Sequence, residues 1–146
     1  MNILSNTQID YVNDAVSAAS NTDDNSTILD MSGFEGVCFV VPITDSAATG
    51  TATLSIEAST SNADTYMTAV TGAIVTGTCT TNDDLNGMLL VVDVYRPQKR
   101  YVQGTITSGT ANMAFGATTA IRYSSKSKPI TQDSDTVAAS AVAVGS

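Results

Sequence analysis

The chain contains no histidine and no tryptophan. Without histidine it lacks the commonest general base and metal ligand near neutral pH. Ser/His/Asp and Cys/His/Asn constellations are therefore impossible, and neither phosphate-loop pattern, GxxxxGK[ST] or GxGxxG, occurs. No enzyme activity is expected. Two cysteines, Cys38 and Cys79, lie far apart with no CxxC spacing, so a zinc site is not expected. They read as small buried apolar side chains, with a disulfide as the alternative.

Positive charge is missing from the first 95 residues: all six basic residues, Arg96, Lys99, Arg100, Arg122, Lys126 and Lys128, fall later, and the net charge is −8. An anionic chain is repelled by phosphate, so no nucleic-acid partner is expected; the polarity suits docking between proteins better. The longest apolar run, Val37 to Ile43, is much shorter than the roughly 20 residues of a bilayer-spanning helix, so no membrane partner is expected. The start, Met1-Asn2-Ile3-Leu4-Ser5, lacks the basic and apolar regions of a secretory signal, which implies assembly in a cytoplasm. Acid pairs at Asp23-Asp24 and Asp83-Asp84, and the pair Asp133 and Asp135, lack the EF-hand pattern and read as solvated turns. Calcium is the alternative there; no metal or cofactor is expected.

What remains is rich in Thr, Ser, Ala, Val and Gly without helical periodicity, which predicts an all-β chain. Thr51 to Ser59 alternates without a break, with Ala52, Leu54, Ile56 and Ala58 on one face. Val37 to Val41 is apolar on both faces, as in a strand covered on each side in a sandwich or at a subunit interface, and Pro42 should end its regular pairing. Gly87 to Tyr95 and Tyr101 to Ser108 are expected to form a hairpin, and Met113 to Tyr123 to pair with the second of them. Weaker strands are expected at Ser26 to Met31 and Ala69 to Thr80. Ile9 to Ala19 reads as strand, with a helical stripe as the alternative, and Asn21 to Asn25 as a turn. The expected fold is one antiparallel β-sandwich or β-barrel, residues 1–128, followed by a small-residue C-terminal arm, residues 129–146. That tail, with Val137, Val142 and Val144 among alanines, fits either a strand added to a neighbouring subunit or a frayed terminus.

The sharpest local feature is Tyr95-Arg96-Pro97-Gln98-Lys99-Arg100-Tyr101, three cations between two tyrosines. On a hairpin tip Arg96 and Arg100 would approach each other, and like charges placed opposite are unfavourable, so an acidic partner would relieve them. Tyr95, Arg96, Lys99, Arg100 and Tyr101 are thus the candidate partner-binding residues. The plainer alternative leaves the arginines in water with tyrosines covering their stems.

Three segments, Ile28 to Val37 (ILDMSGFEGV), Tyr95 to Val102 (YRPQKRYV) and Gly109 to Asn112 (GTAN), resemble the capsid decoration, or cement, proteins of tailed bacteriophages. The resemblance covers about the last four-fifths of the chain, and its motifs are structural. It implies a virion protein on the outer surface of an icosahedral head, often a trimer, bridging subunits of the major capsid protein against internal DNA pressure. A receptor- or glycan-binding module and a tail or head-completion protein are the alternatives; with eight Phe and Tyr residues in all, little material exists for a sugar-stacking platform.

Overall fold

Alternation of apolar and hydroxyl-bearing residues builds eleven strands in the computed structural model, which describes residues 2–145. In chain order they are β1 (Gln8–Asn13), β2 (Val16–Ala19), β3 (Thr22–Asn25), β4 (Leu29–Asp30), β5 (Gly36–Ser46), β6 (Thr51–Ser59), β7 (Thr68–Thr78), β8 (Leu89–Tyr95), β9 (Tyr101–Gly109), β10 (Met113–Phe115) and β11 (Thr118–Tyr123). All ladders are antiparallel, and the described residues contain no α-helix.

The strands form two sheets of four columns. In the first, β5 pairs with β8 on one side and, on the other, with β11 and β10 in succession; β1 and β2 continue outward from β11 and β10. In the second, the order is β7, β6, β9, then β3 and β4 end to end. Val37, Phe39 and Val41 of β5 face Leu54, Ile56, Val102 and Ile106 of the other sheet, and these buried side chains are the centre of the single core. Phe39 lies so close to Gly104 that a Cβ there would meet the ring at 3.1 Å.

The expected all-β sandwich, the Thr51–Ser59 strand with its four buried apolar residues, and the strand reading of Ile9 to Ala19, broken at Asp14-Ala15, match the structure. Several local expectations do not. Tyr95 to Tyr101 is not a hairpin tip: β8 belongs to the first sheet and β9 to the second, so the connection crosses between layers. Met113 to Tyr123 is interrupted at Gly116-Ala117 and pairs with β5, β1 and β2, not with β9. Pro42 does not end pairing. It remains opposite Leu89 of β8, while its missing N–H falls at the β10–β11 break, where Gly116 N–H donates to the Pro42 carbonyl at 2.8 Å.

Thr22-Asp23-Asp24-Asn25 is an edge strand instead of a turn, because its polar side chains find partners: Asp24 accepts from Asn13 at 2.6 Å and Asn25 accepts from Thr105 at 2.9 Å. Of Ser26 to Met31 only Leu29–Asp30 pairs. Val37 to Val41 is covered by the core on one face only; Cys38 and Val40 face outward and are half-buried. Both thiols are free, with Cys79 buried, and burial followed by the nearby Asp93 charge raises the Cys38 pKa.

The first part of the tail is bound in cis along β1. Gln132 accepts from Ile9 N–H at 3.0 Å and donates to the carbonyls of Leu4 and Thr7 at 3.0 and 2.6 Å. Side chains there do what a further strand would do, and they blunt that sheet edge. Beyond Val137 the described tail is largely exposed.

Candidate functional site: the cationic end

Every strand end near the Tyr95–Tyr101 crossover contributes to one pole of the sandwich. There β8 ends, β9 and β5 begin, β11 ends and β4 runs past. Arg96, Lys99, Arg100, Arg122 and Lys126 gather at this pole. Asp45, Asp83 and Asp84 are exposed at the other, and Ser46 C=O accepting from Asp83 N–H at 2.8 Å ties that turn to the end of β5.

The two arginines of the crossover do not face each other. Arg100 makes a bidentate bridge to Asp30, with Nε to Oδ1 at 2.9 Å and Nη2 to Oδ2 at 2.8 Å, and stacks on Tyr101 at 5.2 Å. That hydrogen-bonded guanidinium, helped by Ser32 N–H, holds the Asp30 pKa down at about 2. Arg96 stands 69% exposed, 5.0 Å above the Tyr95 ring, with Glu35 Oε1 at 3.8 Å. It takes a left-handed backbone, φ 53°, as Arg96 N–H donates to Glu35 C=O at 2.7 Å. Lys99 donates to Thr68 Oγ1 at 2.7 Å. The repulsion expected between Arg96 and Arg100 is thus resolved by two acids of the same chain, while Arg96 keeps most of its surface free.

Two open clefts flank the crossover. One, about 340 Å³, lies between β7 and β8 over Ala58, Val70 and Val94; the other, about 470 Å³, lies between Met31–Glu35, Arg96–Arg100 and Lys126. Both are open; Arg96 and Lys99 rim the first, and Arg96, Lys99, Arg100 and Lys126 rim the second with Glu35 as its carboxylate, an excess of positive charge suited to contact with an acidic surface.

A residue that sequence reasoning did not single out anchors this pole. Arg122 points inward from β11, with Nη2 2.9 Å from Asp10 Oδ2, Nη1 donating to Asp30 C=O at 2.9 Å, and its guanidinium 4.8 Å over the Phe34 ring. Its side chain is 16% exposed and that of Asp10 6%. Through Asp30 this buried pair fixes the backbone on which Arg100 is held. On the outer side, Tyr123 lies across Gly36, where any Cβ would collide with its ring, and donates its hydroxyl to Asp93 at 2.6 Å. Burial, then that carboxylate, raises the Tyr123 pKa.

No family model matches the sequence, and no curated protein matches it. Among solved structures the chain is similar to the one described as the crystal structure of PBSX exported protein XepA, with a TM-score of 0.55 and 19% identity over 98% of this chain. The match covers 45% of the XepA chain, so this chain spans less than half of that protein's length, and at this identity the likeness is one of fold.

Proposed function

We propose that the chain is a structural protein of a tailed-phage virion that decorates the head and stabilises it by bridging subunits of the major capsid protein. The observation that carries this reading is the gathering of cations at one pole of a rigid sandwich whose other pole is acidic. Such a body is oriented by an acidic surface before it touches it, and many copies of a modest contact add up over a lattice. Similarity in fold to XepA, a phage-derived protein, supports a phage setting. Tyr95, Arg96, Lys99, Arg100 and Tyr101 form the docking edge, with Arg96 and Lys99 supplying the free charge and Arg100 the braced frame. The exposed tail beyond Val137 is a second contact.

The test is addition of purified protein to undecorated heads. Arg96→Ala with Lys99→Ala lowers occupancy several-fold at moderate salt, and deletion of residues 138–146 lowers it further; unchanged binding of both variants removes these assignments. XepA is described as exported, which favours a second reading, a phage-associated protein that acts away from the head. It predicts no binding to heads by the unaltered protein.

A further inference from the structure

The outward face of the first sheet is apolar, and we propose that it is a self-association surface, covered by the same face of a second copy lying antiparallel to the first. The register places its side chains in neighbouring rows: Val91, Val40, Thr119 and Tyr11 across β8, β5, β11 and β1; Asp93, Cys38, Ile121 and Ile9 in the next; and Leu89 beside Pro42. Leu89, Tyr95, Tyr11 and Val91 are 58%, 57%, 50% and 46% exposed. Asp93, the acid within these rows, is engaged by the Tyr123 hydroxyl.

Three strand-to-strand steps of about 4.8 Å and six residues at about 3.4 Å give a patch of about 14 by 20 Å, before the relief of the side chains is counted. An area of that order is close to the largest apolar patch of an ordinary monomer, which is often functional. It supplies about a third of the approximately 800 Å² that each partner gives up in a standard interface, and side-chain relief and the charged poles above and below can supply the rest.

Charge selects the occupant and its orientation. The face is bounded at one end by the cationic pole and at the other by Asp45, Asp83 and Asp84, and no Lys or Arg precedes residue 96. A second copy turned end for end, with its two-fold axis across the strands, lays apolar rows on apolar rows and each cationic pole beside the other's acidic pole. Turned the other way, acid would lie on acid. Two sheets packed face to face lie about 10 Å apart.

This pairing deepens the structural role proposed above, yet it is measured without heads, so either idea can fail alone. Light scattering and sedimentation of the full chain over micromolar concentrations should show a mass of two copies. Val91→Glu should give a monomer with an unchanged circular dichroism spectrum, whereas Ile74→Glu, exposed on the opposite sheet, should leave the pair intact. Asp45→Lys should weaken pairing several-fold at low salt. A monomer at all concentrations, pairing indifferent to Val91→Glu, or pairing unchanged or strengthened by Asp45→Lys would overturn the proposal.

Discussion

The two sheets obey the same alternation on their inner sides and differ on their outer ones. Along β6 and its neighbours the outward positions are Thr51, Thr53, Ser55 and Glu57 beside Thr76, Thr78, Thr105 and Thr107, with an exposed Ile74 opposite Ser55 and the Thr53 and Thr76 hydroxyls 3.0 Å apart. Along β8 and β5 the corresponding positions are Leu89, Val91, Pro42, Val40 and Cys38, with Asp93 the charged member opposite Cys38. A hydroxyl ladder satisfies itself in water. An apolar row does not, so the difference separates a face made for solvent from one made for contact.

The largest effect should come from breaking what the sheets share. Phe39→Ala removes a fully buried ring between them and should cost about 3–5 kcal/mol of unfolding free energy, measured by chemical denaturation. Asp10→Ala leaves Arg122 largely buried beside Asp30 without its carboxylate and should cost about 3 kcal/mol, since removing one member of a buried pair strands the other. A cost below about 1 kcal/mol for either would contradict a core closed over these side chains. The smallest effect sharpens the cationic pole. Asp30 has its pKa lowered, so the Arg100 bridge contributes fully above the ordinary carboxylate range and is lost as pH falls from about 4 toward about 2. Asp30→Asn should flatten the stability profile in that window, read as thermal midpoint against pH.

Much of this was legible in the residues and some was not, for identifiable reasons. β6 could be bounded to the residue because nine positions alternate without interruption. The two-sided apolar character of Val37 to Val41 was also visible, and the structure shows that the chain itself covers only one of the sides. What could not be read was which sheet a strand joins. β8 and β9 carry the same inward alternation whether they pair or join opposite sheets, and a five-residue link permits either. The same blindness hid the acids at the cationic pole. Arg100 meets Asp30 across 70 residues and Arg122 meets Asp10 across 112, and no local pattern marks such pairs. The edge strand Thr22–Asn25 was disguised by turn-forming residues whose bonds are made with distant partners.

Electron microscopy of the virion, locating and counting this chain, tests the central claim most directly. The account predicts many copies spread over the outer lattice of the head, with an Arg96 pole of each pair toward the major capsid protein. A ring confined to one vertex, or a particle that lacks the chain altogether, would contradict it.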